Sequence, residues 1–140
     1  MKDLTESGCG VLAAQPFSRL LGAELVSLQP GRVELALPLR GDLQQQNGFA
    51  HGGVLAYLAD NALTFAGGTV LTGRILTLEM KINYIRPGVG ERLIARAEAL
   101  SAGRTQAVCR CEIFAVSEGT EKLVAAAQGT IASSPETTTP

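Results

Sequence analysis

Apolar and polar positions alternate with a period of two in several stretches of this chain and follow a helical period in one long one. Arg32 to Leu37 shows the first pattern: Val33, Leu35 and Leu37 alternate with Arg32, Glu34 and Ala36, the signature of a half-buried strand. A strand near Glu24 to Leu28 precedes it, and Pro30-Gly31 marks the turn between the two. Four more strands are predicted downstream, at about Leu76 to Ile85, Arg92 to Leu100, Thr105 to Val116 and Leu123 to Ile131. In the first of these, Leu76, Leu78, Met80, Ile82 and Tyr84 fall on one face, and Thr77, Glu79, Lys81 and Asn83 on the other. Turn residues at Pro87-Gly88, Ala102-Gly103 and Glu118-Gly119 leave gaps short enough for antiparallel hairpins.

A short helix from Pro16 to Leu21, stopped by Gly22, stands before the strands, and one long helix runs from about Gly53 to Gly67 or slightly beyond. Small side chains repeat on one face of the later strands: Ala95, Ala97 and Ala99, then Ala107, Cys109 and Cys111, then Ala125, Ala127 and Gly129. Such a face lets a curved sheet close around something bulky, and the long apolar helix is the bulky element on offer. The pattern predicts an α+β architecture, an antiparallel sheet wrapped around a long central helix. With 140 residues the chain suits one domain. Residues 16–132 are assigned to it, with residues 1–15 as an N-terminal extension and the polar, Pro-containing residues 133–140 as a flexible tail.

Composition narrows the partners. A net charge of −1 without a basic stripe, and an aromatic content of 4%, leave neither an electrostatic track nor a stacking platform for nucleic acid. No segment reaches membrane-spanning length, and Asp3 and Glu6 interrupt any apolar leader, so no signal peptide is expected. The three cysteines show no CxxC spacing and no companion histidines, which argues against a metal site and for reduced thiols in the cytoplasm.

Candidate chemistry gathers in one stretch, Gln45-Gln46-Asn47-Gly48-Phe49-Ala50-His51-Gly52-Gly53, and in the helix after it. From Gly53 to Gly67 the one charged residue is Asp60, and a carboxylate on so apolar a helix is costly to bury without a task or a partner. His51 is the sole histidine and stands at the helix start beside two glycines. Their unpaired N–H groups and the positive end of the helix dipole suit an oxygen that gains negative charge.

The pattern Gln45-x-x-Gly48-x-x-His51-Gly52-Gly53, with Asp60 on the following helix, resembles the hot-dog-fold acyl-CoA thioesterases of the phenylacetyl-CoA thioesterase type. The resemblance spans roughly Pro16 to Ala132 and agrees with the inferred order of elements. It implies hydrolysis of an acyl-CoA, with coenzyme A as part of the substrate and no separate cofactor, a homodimeric active site and often a dimer of dimers. It makes Asp60 the carboxylate that activates water or attacks the thioester, and Gly52 the backbone donor to the carbonyl oxygen. Gln45 takes the place of an amide near the reacting atoms, and His51 that of a contact to the thioester or the thiol side. Thr64, one helical turn beyond Asp60, and Thr77, on the following strand, are the hydroxyls the family places near the acid.

Gly52 and Asp60 are eight residues apart, about 12 Å of helix rise, too far for both to touch one carbonyl. Two antiparallel chains would bring the helix start of one against the helix middle of the other, giving two equivalent composite sites. Helical spacing puts Gly53, Tyr57, Asp60, Thr64 and Gly67 on one stripe, the expected substrate face. Asn47 and Gly53 are further candidate substrate contacts, and Arg104 and Arg86 are the preferred contacts for coenzyme A phosphates. A hot-dog dehydratase or hydratase using His51, and a non-catalytic acyl-CoA-binding module, are the competing readings; hydrolysis alone releases free thiol.

Overall fold

The computed structural model describes residues 3–135, arranged as α1 (Leu4–Ala13), α2 (Pro16–Leu21), β1 (Glu24–Gln29), β2 (Arg32–Pro38), a 3-10 turn (Gly41–Leu43), α3 (Gly52–Gly68), β3 (Arg74–Tyr84), β4 (Arg92–Ala102), β5 (Gln106–Ser117) and β6 (Thr120–Ser134). The six strands form one antiparallel sheet in the order β1-β2-β4-β5-β6-β3, and α3 crosses its concave face. Residues 16–21 are helical as expected. Pro16 opens α2, and Gly22, with φ 87°, ends it by returning its N–H to Ser18 O at 2.9 Å.

The small-residue face does what its pattern implies. Ala95, Cys109, Cys111 and Ala125 are essentially inaccessible and pack under α3, with Leu58 and Leu63 of the helix fully buried above them. Burial pushes the Cys109 thiol up to about 11, and burial together with the charge of Glu112 pushes Cys111 up to about 12, so both are neutral core groups. Where α3 and β3 meet β6, close approaches require glycine at Gly129 and Gly67. A Cβ on Gly129 would stand 2.6 Å from Glu79 O and 3.2 Å from Leu63 Cδ1, and one on Gly67 would stand 2.8 Å from Ile131 Cβ.

Three features depart from the sequence reading. Residues 4–13, assigned to an extension, form a helix: α1 lies along β1, and Thr5 Oγ1 accepts the Leu28 N–H at 3.0 Å, capping part of that sheet edge. β6 runs through Ser133 and Ser134, paired with Ile75 and Arg74, so the last strand is two residues longer than the expected domain end; residues 136–140 lie outside the described residues. The regular alternation of β3 is broken by a bulge between Thr77 and Glu79. Leu76 and Leu78 are therefore 59% and 57% exposed, while Ile75, Thr77, Met80 and Ile82 turn inward. Opposite α1-covered β1, β3 forms the other edge of the sheet.

Candidate functional site

The start of α3 is held by its own loop. His51 is the N-cap, in extended conformation, and its Nδ1 accepts the Gly53 N–H at 2.8 Å, which leaves the ring proton on Nε2 facing outward. Ala50 N–H donates to Gly88 O and His51 N–H to Leu43 O, both at 2.9 Å, fixing the direction of entry. Gly52 occupies the first helical position, and its N–H finds no acceptor among the described residues. Tyr84 flanks this point, its hydroxyl donating to Gly52 O at 3.4 Å.

Gln45 is tied into the loop rather than extended from it. Its Oε1 accepts the N–H groups of Asn47 and Phe49, the latter at 3.3 Å, while its own N–H donates to Phe49 O at 2.8 Å. The side-chain oxygen is thus spent on the turn, and the amide NH2 is the part left to face outward. Asn47 is exposed at the tip of that turn, where Gly48 takes φ 82°.

Asp60 lies half-buried near the middle of α3, and its carboxylate is oriented from the neighbouring strand. Thr77 Oγ1 donates to Asp60 Oδ1 at 2.6 Å, a short charge-assisted bond, and Oδ2 has no partner among the described residues. Thr64 Oγ1 lies 2.8 Å from Asp60 O and 3.0 Å from Thr77 Oγ1. Each hydroxyl has one proton, so with Thr77 committed to the carboxylate, Thr64 donates either to the Asp60 carbonyl or into Thr77. Both arrangements leave one carboxylate oxygen oriented and the other open. With the bulge in β3, Thr77 faces the helix on the same side as Met80 and Ile82; its hydroxyl reaches the carboxylate, whereas Thr64 reaches only the Asp60 backbone carbonyl and Thr77 itself.

Beside Asp60, Tyr57 lies on the stripe the sequence predicted, while Asn61 escaped the sequence reading. Tyr57 donates to Ser18 Oγ at 2.6 Å, and Asn61 Nδ2 lies 3.1 Å from Tyr57 OH and 3.2 Å from Gln15 Oε1. This network pins α2 and its N-cap residue Gln15 against α3, and the signal for it was Asn61, a polar side chain next to Asp60 in an apolar helix. The open stripe therefore includes Tyr57, Asp60, Asn61, Thr64 and Gly68, whereas Gly67 is buried against Ile131.

Within one chain the structure brings Thr64 and Thr77 to Asp60, and His51 and Gly53 to Gly52. It keeps the two groups apart along α3. Arg86, just past β3, is exposed near the helix start; Arg104, in the β4–β5 turn, sits by the opposite end of β3, where Ser133 N–H donates to Thr105 O at 2.8 Å. Arg96 is engaged elsewhere, bonded to Glu34 at 2.8 Å and Glu121 at 2.7 Å; these bonds raise its pKa and lower that of Glu121. Arg110 is bonded to Glu98 at 3.0 Å. Such exposed pairs solvate the outer face of the sheet and contribute little stability.

Comparison with known proteins agrees with this architecture. Residues 47–122 match the family model described as "Thioesterase superfamily". The medium/long-chain acyl-CoA thioesterase YigI of Escherichia coli is 32% identical over 121 residues, covering 70% of this chain and 74% of that protein. A thioesterase family protein from Silicibacter pomeroyi superposes with a TM-score of 0.88 at 34% identity, over 92% of this chain and 96% of that one. A variant of the phenylacetic acid degradation protein PaaI of Thermus thermophilus does so with a TM-score of 0.75 at 39% identity, over 86% of this chain and 100% of that one. The antiparallel sheet with its long central helix is thus the hot-dog architecture these proteins share, and the chain belongs to the thioesterase superfamily.

Proposed function

We propose that this protein hydrolyses acyl-CoA thioesters to the free acid and coenzyme A, in a homodimer with two equivalent composite sites. The observation that carries the reading is the half-buried Asp60 carboxylate, held through Oδ1 by Thr77 while Oδ2 has no partner among the described residues, on the polar stripe of an apolar helix whose first N–H finds no acceptor among them either. An acid and an oxyanion donor are the two groups acyl transfer needs. Asp60 acts as a general base toward water or as a nucleophile, and the N–H of Gly52 of the partner subunit polarises the thioester carbonyl. The chemistry uses the chain's own groups, without a metal or redox cofactor.

The free edge of the sheet supports the dimer. β1 is covered by α1, whereas β3 presents its outer edge together with exposed Leu76 and Leu78, a template for a second strand. A two-fold axis through that edge pairs β3 with its copy antiparallel and sets the two α3 helices antiparallel as well. The start of one helix then faces the middle of the other. The same operation brings Arg86 of the partner subunit toward the end of β3 that carries Arg104, so one coenzyme A meets both positive charges, and dimers of this kind assemble in pairs. Reduced, unpaired Cys9, Cys109 and Cys111 fit a cytoplasmic setting.

Thiol release from a panel of aromatic and aliphatic acyl-CoAs tests the activity. Free coenzyme A appearing with enzyme-dependent kinetics supports hydrolysis; stable binding without thiol release, or formation of a dehydrated acyl-CoA, rejects it.

A further inference from the structure

Between α1 and the C-terminal half of α3 lies a cleft of about 290 Å³. Val11 of α1, Leu28 of β1, Phe65 of α3 and Ile75 of β3 form its apolar walls, and Thr64 stands at the end nearer Asp60. The connection to the site is direct: Thr64 Oγ1 is 3.0 Å from Thr77 Oγ1, which donates to the Asp60 carboxylate. An acyl group whose carbonyl is presented to Asp60 therefore has an apolar path along the helix toward Gly68. The bonds from Tyr57 to Ser18 and from Asn61 to Gln15 hold α2 and its N-cap beside that path, and α1 is held over it by the Leu28 N–H bond to Thr5 Oγ1 and by the Arg19 bond to Ala13 O.

Two measures of the cleft agree. A cavity of about 150 Å³ holds benzene, so 290 Å³ has room for about a dozen carbons. From Asp60 to Gly68 the helix rises about 12 Å. An extended chain advances roughly 1.2 Å per bond, which gives about ten carbons over that distance. At the far end, a Cβ on Gly68 would meet Ile75 Cγ1 at 3.7 Å and Cγ2 at 3.9 Å, ordinary contact, whereas one on Gly67 would collide with Ile131. Of these two glycines, Gly68 is the one whose missing side chain leaves space in the cleft.

We propose that this cleft receives the acyl chain and that Gly68 sets the longest chain accepted, at about ten to twelve carbons. The proposal rests on Asp60 marking the hydrolytic site. Each methylene buried in the cleft should strengthen binding roughly fourfold, until the far wall is reached.

The test uses alkyl-CoA thioethers, which bind but cannot be hydrolysed, from butyl- to hexadecyl-CoA, with calorimetric affinities for the wild type, Gly68→Ala and Gly68→Val. The wild type should gain affinity with length and level off at about ten to twelve carbons. The ratio of decyl- to butyl-CoA affinity should fall severalfold in Gly68→Ala and at least about tenfold in Gly68→Val, because added methyl groups displace buried methylenes. Gly68→Ala removes a helical glycine without a clash and so guards against misfolding of the larger variant. A decyl-to-butyl ratio that is unchanged in both variants overturns the proposal, as does a wild type indifferent to chain length. Thiol release from the matching acyl-CoAs is measured alongside. Its absence with a length-dependent, Gly68-sensitive affinity would reject hydrolysis and leave the acyl cleft standing; turnover with a Gly68-insensitive length profile would do the reverse.

Discussion

Thr77 is the residue through which the fold aims its acid, and removing its hydroxyl has a cost that the geometry lets one work out. The bond from Thr77 Oγ1 to Asp60 Oδ1 is 2.6 Å long and ends on a charged group. Hydrogen bonds of that kind are worth about 1.5–3 kcal/mol, or roughly 10- to 150-fold in rate if the whole amount is lost from the transition state. Asp60 is half-buried, so water replaces part of the interaction and Thr77→Ala should fall near the lower end, about tenfold in kcat. Thr77→Val should be worse. Its methyl cannot stand 2.6 Å from a carboxylate oxygen, since carbon contacts lie at about 3.5 Å or more, and the acid must shift by up to about 1 Å. Displacements of that size cost on the order of 100-fold. Thr77→Ser keeps the donor and should stay within about threefold of wild type. The assay is steady-state thiol release from one acyl-CoA, with KM near the wild-type value because Thr77 does not hold the carbonyl donor. Wild-type turnover by Thr77→Val, or equal losses in the Ser and Val variants, would refute the reasoning.

Asp60→Asn keeps the shape of the side chain but neither accepts a proton from water nor attacks as an anion; its kcat should fall by at least about 1,000-fold while acyl-CoA binding and the melting temperature are retained, and turnover at the wild-type rate would make Asp60 structural. Gly52→Pro removes the proposed carbonyl donor at the first helical position, where proline is best tolerated and where the preceding His51 is already extended, so the helix should persist. Mixing that inactive variant with Asp60→Asn should restore about a quarter of wild-type activity at equal amounts and complete exchange, one of two sites being intact in half of the dimers; a heterodimer verified with tagged chains that shows no recovery would mean each chain builds its own site. Finally, Cys109 and Cys111 stay protonated in the fold up to about 11 and about 12, whereas unfolded thiols ionise near 8.5, so the unfolded state holds fewer protons between those values and stability falls as pH rises. The slope is at most about 1.4 kcal/mol per pH unit for each thiol, and denaturant melts of Cys109→Ala with Cys111→Ala should show a flatter alkaline limb than wild type; identical slopes would mean that other groups control it.

The periodicities of the chain fixed most of the scaffold. Period-two alternation located the strands, Pro16 and Gly22 bracketed α2, and the run of Ala, Cys and Gly on alternate positions announced a sheet closing on a helix, because these are local or near-local consequences of side-chain size and backbone freedom. The isolation of Asp60 in an apolar helix and the glycines after His51 were equally local signals. Gly8 and Gly10 masked α1, since they weaken the helix propensity of a segment that tertiary packing on β1 stabilises. The bulge in β3 was not legible either: strict alternation placed Thr77 opposite Met80 and Ile82, and the register with β6 put them on the same side. A one-residue slip reverses a strand's faces, and pairing with β6 set it here. The partners of Asp60, the internal commitment of the Gln45 oxygen and the choice of Gly68 over Gly67 as the open glycine were likewise decided by tertiary structure. Each depends on which atoms from distant parts of the chain come within a few ångströms, and a linear pattern carries the period of an element but not the identity of its neighbours.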